Sequence, residues 1–224
     1  MIREQLGAAW SSAPRLSFSV QGAESVRYAA VPTLEFALRI DAEPAAPISA
    51  VLLHAQIQIV ARQRGYDADA QEQLLELFGN PERWGTTLRT LPWIGTTLAV
   101  PPFTGSTVVV LQVPCSYDLE VSASRYLAAL HDGEVPLEFL FSGSVFYTTP
   151  RGALQTARIA WDHDVRFAMP VQVWRQAIDR HFPNSAWLRI GRDSFDALCS
   201  YKARHAFESW DAAIDSLLAG VQDR

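Results

Sequence analysis

The two cysteines are the strongest nucleophiles in the sequence, so their positions decide whether thiol chemistry is expected. Cys115 follows Pro114 at the end of a predicted strand, and Cys199 lies on the apolar stripe of a predicted helix. Neither has a histidine beside it in the sequence, and the two do not form a closely spaced pair. We therefore predict two reduced thiols that pack in the core, with one long-range disulfide as the alternative.

Histidine and carboxylate clusters would indicate a metal site. The densest cluster is Trp161-Asp162-His163-Asp164, and His131, Asp132 and Glu134 form a second group. No two histidines have the helical or strand spacing that places both imidazoles on one ion. The first cluster falls between two predicted strands, where Asp and His are common turn residues. We predict a turn there, and neither a metal nor another cofactor.

Serine-nucleophile and phosphate-binding motifs are also missing from the sequence. Phe141-Ser142-Gly143-Ser144 lacks the Gly-x-Ser-x-Gly elbow of serine hydrolases. Gly143 lies inside a strand pattern, where a bulge or a close approach of another backbone is the usual reason for glycine. Gly105-Ser106-Thr107 is not a phosphate-binding loop, and no dinucleotide fingerprint occurs. The sequence therefore indicates no catalytic residue, and it favours a protein that is not an enzyme.

Aromatic and arginine side chains between the first predicted helix and the sheet are candidates for partner binding. Trp84, Trp93 and Phe103 lie in a segment rich in glycine, proline and threonine, and Arg83 and Arg89 supply guanidinium donors. Aromatic and arginine residues on such a segment are typical anchors of protein interfaces. The alternative is that the rings cap one end of the sheet structure.

A polar stripe on a predicted central strand is the second candidate surface. His54, Gln56 and Gln58 alternate with the apolar residues Leu53, Ala55, Ile57 and Ile59. This period of two places the polar side chains on one face of the strand and the apolar ones in the core. The polar face either is solvated or contacts a partner.

Composition limits the class of protein. The 224 residues are 49% hydrophobic and 19% charged, with a formal net charge of −5. These values exclude a disordered chain and argue against nucleic-acid binding. The sequence shows no signal-peptide core and no long uncharged apolar run, so we expect a cytoplasmic protein without membrane segments.

The elements that must position these residues are mostly strands. Pro101-Pro102 ends one strand, and Asp132-Gly133 and Pro150-Arg151-Gly152 are hairpin-type breaks. Few helices separate the strands, so the sheet is predicted to be mainly antiparallel. The predicted strands are Leu16–Val20, Thr33–Asp41, Leu53–Val60, Thr86–Leu91, Thr96–Val100, Thr107–Val113, Asp118–Leu130, Leu137–Thr149, Leu154–Trp161 and Val165–Ala168.

Four helices complete the prediction. Asp67 caps the first, over 68–78, and its stripe of Gln71, Leu74, Leu75 and Phe78 ends at Gly79. From Met169 the period changes to that of helices. The stripes predicted to face inward are Val171, Trp174, Ala177 and Ile178, then Phe195, Leu198 and Cys199, then Trp210, Ala213, Ile214, Leu217 and Leu218 after the cap Ser209.

The fold class follows from these elements. We predict one domain over 1–224: an antiparallel β-sandwich or open barrel over 14–168 with the one helix near 68–78, and a helical appendage over 169–220 packed on it. His181-Phe182-Pro183-Asn184 leads into a corner that buries Trp187. The oligomeric state stays open, because an edge strand of such a sheet can pair symmetrically.

Short motifs occur along most of the chain. They are Leu74-Leu75-Glu76-Leu77-Phe78-Gly79, Arg83-Trp84-Gly85, Pro102-Phe103-Thr104-Gly105-Ser106-Thr107, Pro114-Cys115-Ser116-Tyr117-Asp118, Asp132-Gly133-Glu134-Val135-Pro136-Leu137, Val171-Gln172-Val173-Trp174, His181-Phe182-Pro183-Asn184-Ser185-Ala186-Trp187-Leu188-Arg189, Tyr201-Lys202-Ala203 and Ser209-Trp210-Asp211-Ala212-Ala213. Together they resemble the motifs of an uncharacterised bacterial family, a domain of unknown function. The resemblance implies no activity and no catalytic residue. It does imply a gene neighbourhood, because genes of this family are often encoded beside nickel–iron hydrogenases of the high-affinity type.

The expected function is therefore that of a non-catalytic accessory or assembly protein. Its partner would be another protein, and the resemblance points to a hydrogenase subunit or maturation factor. One alternative is a hydrolase-like enzyme whose site is assembled in space around Cys115 or His163. The other is a small-ligand or metal-binding module that uses His131, His163 and nearby carboxylates.

Overall fold

The computed structural model describes residues 13–118, 121–160, 164–185 and 189–222. Strands dominate these ranges, because long stretches alternate apolar and polar side chains. The strands are β1 Arg15–Ser25, β2 Thr33–Glu43, β3 Pro47–Val60, β4 Thr90–Val100, β5 Phe103–Thr104, β6 Ser106–Pro114, β7 Glu134–Thr148, β8 Leu154–Ile159 and β9 Asp164–Pro170.

The strands form two antiparallel sheets that do not close into a barrel. The smaller sheet has the order β1-β2-β6, and the larger has the order β4-β3-β7-β8. Strand β5 adds to β3, and β9 adds to β7. The predicted class, mainly β with antiparallel sheets and C-terminal helices, is confirmed.

The core lies between the inner faces of the two sheets. Phe36 of β2 is fully buried, and its ring centroid lies 5.2 Å from that of Phe139 on β7. Phe18 of β1 stacks on Phe141 of β7 with centroids 4.5 Å apart. Aromatic pairs from opposite sheets thus join the two layers, which is the packing of a β-sandwich.

Helices occupy the connections and the C-terminal part. They are α1 Ala68–Gln73, α2 Leu75–Phe78, α3 Trp84–Thr87, α4 Ser122–Ala128, α5 Val171–His181, α6 Arg192–Arg204 and α7 Trp210–Gln222. The predicted first helix is confirmed, with a break at Leu74: the Asp67 carboxylate accepts from the Ala70 amide at 2.7 Å. Gly79 ends it at a φ of +73°, a conformation that favours glycine. Leu75, predicted on the inward stripe, is 41% exposed.

The strand predicted over Asp118–Leu130 is wrong, because this segment contains α4. Its buried residues Ala123, Tyr126, Leu127 and Leu130 recur at intervals of three and four, which is the helical period. Asp132-Gly133 consequently joins α4 to β7 and is not a hairpin turn. Pro150-Arg151-Gly152 does lie in the hairpin between β7 and β8, as predicted.

The strand predicted over Thr86–Leu91 is also wrong over its first half. Thr86 and Thr87 belong to α3, and the hydroxyls of both donate to the Arg83 carbonyl at 2.9 and 3.2 Å. These local bonds offer the backbone an alternative to a sheet ladder. Strand β4 begins only at Thr90 and continues without a break to Val100, where Pro101 ends it.

The chain forms two compact units, Met1–Ala186 and Trp187–Arg224. Helix α5 belongs to the first unit, where Trp174, Ala177 and Ile178 are buried as predicted. The prediction of a single domain stays a prediction. Asn184 makes the predicted turn at a φ of +50°, whereas Trp187 lies outside the described residues.

The second unit contains α6 and α7. The Ser209 hydroxyl caps α7 by accepting from the Ala212 amide at 3.0 Å. Ala213 is buried, but four residues of the stripe predicted to face inward are exposed, which corrects that prediction: Trp210, Ile214, Leu217 and Leu218. Phe195 of α6 is 42% exposed and contradicts its predicted inward position as well. Among the described residues, no helix has the length and apolar character needed to span a membrane.

Candidate functional site

The predicted polar stripe lies on the outer face of the larger sheet, at its centre. Strand β3 runs between β4 and β7, so each stripe residue has a neighbour on both sides. His54 lies opposite Thr97 of β4 and Ser142 of β7, and Gln56 lies opposite Gly95 and Leu140. The register therefore extends a stripe predicted on one strand into a surface across several strands.

Gln58 continues this surface along β3. Its side-chain amide donates to the Glu138 carboxylate at 2.6 Å, and the Arg166 guanidinium of β9 lies 3.7 Å from the same carboxylate. Only 19% of the Glu138 side chain is exposed. Glu138 is thus held in place by groups from β3 and β9.

A depression of about 590 Å³ opens to solvent on this face. Small residues lie beside the stripe: a Cβ added at Gly95 would contact the His54 ring at 3.4 Å. The His54 Nδ1 atom lies 3.4 Å from the Thr97 hydroxyl. We call the polar side chains around this depression the polar face: His54, Gln56, Gln58, Glu138, Ser142 and Asp164.

The polar face offers imidazole, amide, hydroxyl and carboxylate groups on rigid strands. Such groups can hydrogen-bond to a polar partner surface, and an open depression suits a protein better than an enclosed small molecule. The sequence pattern identified His54, Gln56 and Gln58 but missed Glu138, Ser142 and Asp164. A signal for them existed, because Glu138 and Ser142 occupy outward positions in the alternation of β7. The pairing partner of that strand was not evident.

Trp84, one of the predicted partner-binding residues, is only 7% exposed. Its ring centroid lies 5.1 Å from that of Tyr66 and 6.1 Å from that of Phe78. Its indole N–H donates to the Gly79 carbonyl at 2.8 Å. The ring packs in the protein and cannot serve as an exposed anchor, which favours the alternative that it caps one end of the sandwich.

Tyr66 and Tyr126 complete the aromatic group around Trp84, and their hydroxyls lie 2.8 Å apart. Tyr66 donates its proton to the Ala61 carbonyl at 2.6 Å, so the proton between the two hydroxyls comes from Tyr126. Burial raises the pKa of both phenols. Both remain neutral at ordinary pH and act as structural hydrogen-bonding groups.

The other residues of the predicted aromatic surface are dispersed among strands. Trp93 of β4 is half-buried, and its centroid lies 6.4 Å from that of Phe36 in an edge-to-face arrangement. Phe103 of β5 is half-buried and pairs with Ile48 of β3. Arg83 and Arg89 are exposed. The two guanidiniums therefore remain available to a partner, whereas the rings belong largely to the core.

Cys115 is a buried thiol. It is 6% exposed, and its Sγ lies 3.6 Å from the Val113 carbonyl. Burial raises its pKa to about 12, so the reactive thiolate is scarce. Both cysteines are free, as predicted, and Cys199 is half-buried. The burial of Cys115 therefore does not favour the hydrolase-like alternative that uses this thiol, and His163 lies outside the described residues.

Thiol alkylation will separate the two cysteines. At pH 8 we expect iodoacetamide to modify Cys199 at least about 100-fold faster than Cys115, because burial both blocks access to Cys115 and disfavours its thiolate. Mass spectrometry of digested protein measures both rates. In Cys199→Ser protein the fast phase should vanish, and in urea both thiols should react. Equal rates in the folded protein would contradict the buried thiol.

Metal ligation finds no support among the residues that the structure describes. Within them, no three His, Cys, Asp or Glu side chains come together as a metal site would require. His131, a candidate ligand, is engaged in hydrogen bonds: the Arg175 guanidinium lies 2.9 Å from its Nδ1 atom and also donates to the Leu130 carbonyl at 2.6 Å. The lone pair at Nδ1 therefore faces a cation.

Similarity to known sequences places the chain in a family. The sequence model of DUF6084, described as a family of unknown function, matches residues 13–224. The chain belongs to DUF6084. This assignment confirms the predicted membership in a domain family of unknown function, while the link to hydrogenase genes stays a prediction. No curated protein matches the DUF6084 chain.

Solved structures similar to this DUF6084 chain are distant. A protein described as ApaA from Bordetella pertussis shares 12% identity at a TM-score of 0.27, over 70% of this chain and 96% of that one. β-Glucosidase 3B from Thermotoga neapolitana shares 14% identity at a TM-score of 0.25, over 70% of this chain. The match covers 17% of the glucosidase. Similarities this low carry no argument about function.

Proposed function

We propose that this DUF6084 chain is a non-catalytic accessory or assembly protein that binds another protein through the polar face. The observation that carries the proposal is the continuity of that face. Hydrogen-bonding side chains from β3, β7 and β9 line one depression. Exposed strands with this geometry present a rigid surface whose side chains need little ordering on binding.

The charges of the polar face support a partner that carries hydrogen-bond donors. Arg166 offsets Glu138, whereas the exposed Asp164 lies at the rim of the depression opposite Leu140. The half-buried Leu140 supplies an apolar floor between them. A partner with hydrogen-bond donors around an apolar side chain would fit this surface, following the usual arrangement of a polar rim about an apolar centre.

The proposed partner is a nickel–iron hydrogenase subunit or maturation factor, bound in the cytoplasm. Support for it comes from the gene neighbourhood implied by the resemblance, and neighbouring genes often serve one assembly. Arg83 and Arg89 extend the proposal, because both are exposed and could pair with acidic groups of the partner.

Site-specific photo-crosslinking tests the proposal. A photoreactive phenylalanine analogue at Gln56 should capture a hydrogenase component in cells, and the same analogue at Ser19 should not. Ser19 is the matched control because it is exposed on β1, in the other sheet. Gln56→Arg should then weaken binding of the purified component at least about tenfold, with Ser19→Arg unchanged. The proposal fails if no hydrogenase component is captured at Gln56 and deletion of the gene leaves hydrogenase activity unchanged.

A further inference from the structure

Strand β6 is an edge of the smaller sheet. Within the described residues it pairs with β2 and with no strand on its other side. The exposed fractions of Val108 and Val110 are 52% and 48%. An edge strand with exposed apolar side chains is a template for pairing with another strand.

The hydrogen-bond pattern shows which backbone groups face the open edge. The Ala42 amide donates to Gly105 and the Cys115 amide donates to Pro32, both at 2.7 Å, in register with the β2–β6 ladder. Bonded pairs alternate along an antiparallel ladder, so the odd-numbered residues of β6 face β2. The even-numbered residues therefore direct their N–H and C=O groups to the open edge, and the described part of the chain supplies no partner for them: Ser106, Val108, Val110 and Gln112.

The sequence of β6 has little that protects this edge, because its one proline, Pro114, is the last residue of the strand. Ser106–Val113 contains no charged residue and no proline, the devices that usually prevent edge pairing. The opposite edge strand, β1, is different: it carries Arg15 and Glu24, and its register is interrupted between Val20 and Gly22. Helix α5 also packs near β1, where the Arg180 guanidinium donates to the Val26 carbonyl at 3.0 Å.

We propose that β6 pairs antiparallel with β6 of a second copy of this chain. The strand is complementary to itself about Val109. A two-fold axis there places Val108 opposite Val110 of the other copy, and Ser106 opposite Gln112. Apolar side chains then meet apolar ones, polar meet polar, and no like charges are brought together. Four bonded pairs of even-numbered residues would form about eight backbone hydrogen bonds.

Self-complementarity favours a second copy over a strand from another protein. Any extended chain could bond to the edge backbone, but β6 itself already has the required order of polar and apolar positions. A second β6 is also always present, at the same concentration as the strand with which it would pair. Two short strands make an interface at the low end of the size range for specific complexes. We therefore expect a dimer whose population depends on concentration.

Sedimentation of the purified full chain tests the dimer. The average mass should rise with concentration from 24.9 kDa towards twice that value. Val110→Lys places a charge at the edge and should keep the protein monomeric, whereas Ser19→Lys on β1 should behave as the wild type. Thermal unfolding confirms that each variant is folded. A wild type that stays monomeric up to about 1 mM, or a Val110→Lys variant that dimerises equally well, would overturn the proposal.

A disulfide test fixes the register without relying on a charge. In the proposed dimer the two Val109 residues form a non-bonded pair with Cα atoms about 4.5 Å apart, which a disulfide can bridge. In a Cys199→Ser background, Val109→Cys should give a covalent dimer under mild oxidation. Thr107→Cys, its matched control on the same face, should give none, because it lies opposite Leu111. Crosslinking at 107, or none at 109, would contradict this register.

Discussion

Gly143→Ala is expected to destabilise the first unit by about 3 kcal/mol or more. Gly143 has a φ of +141°, a conformation that side chains disfavour. An added Cβ would also overlap the backbone carbonyl oxygen of Leu52. That carbonyl cannot yield easily, because β3 is paired on both sides. Backbone strain and steric overlap therefore add at one position in the centre of the larger sheet.

Urea unfolding followed by tryptophan fluorescence measures this loss. Gly22→Ala is the control, because Gly22 also lies in a strand but has no atom within 4 Å of an added Cβ and no positive φ. Its stability should change by less than about 1 kcal/mol. Equal effects of the two substitutions would show that the close approach of β3 to β7 at Gly143 is not as described.

Phe36→Ala is expected to cost about 3–5 kcal/mol, since it removes a fully buried ring and leaves a cavity. Phe36 contacts three rings of the opposite sheet edge-to-face, with centroids 5.2 Å from Phe139, 6.1 Å from Phe167 and 6.4 Å from Trp93. The substitution therefore removes a contact shared by β4, β7 and β9. It weakens the joint between the two layers rather than a single strand.

Chemical and thermal unfolding of the same protein test this second prediction. Phe146→Ala on β7 is the matched control, because Phe146 is half-buried and lies on an outward position. It should cost about 1 kcal/mol, in proportion to the smaller apolar area that it buries. Phe36→Leu should fall between the two. A Phe36→Ala loss no larger than that of the control would contradict the central role of Phe36.

The strands were predictable where burial alternates strictly. Thr33–Asp41 and Leu53–Val60 have one buried face each, so their period of two survives in the sequence. The same rule failed at Asp118–Leu130, where alanine, tyrosine and leucine also fit a strand, and only the spacing of the buried residues reveals α4. The strand prediction failed at Thr86 and Thr87 for another reason. β-Branched residues favour strands on average, but here the two hydroxyls bond locally to the Arg83 carbonyl within α3.

The candidate site was predictable only in part, because it depends on which strands pair with one another. His54, Gln56 and Gln58 come from one strand, and a single alternating pattern identifies them. Glu138 and Asp164 reach the same surface through the β3–β7 and β7–β9 pairings. Sequence periodicity carries no information on which strands become neighbours. The burial of Trp84 could not be predicted either, because the rings that cover it, Tyr66 and Phe78, come from other segments of the chain.

The order of the strands also constrains how a ribosome-bound chain acquires its structure. The central ladder joins β3 to β7, and its side-chain bonds span 80 positions between Gln58 and Glu138 and 99 between Ser49 and Thr148. Such distant pairing is slow, because closing a long loop costs entropy before any contact repays it. During synthesis, the edge of β3 that pairs with β7 therefore stays open until more than half of the chain has been translated. Until then it is a surface that a chaperone would recognise.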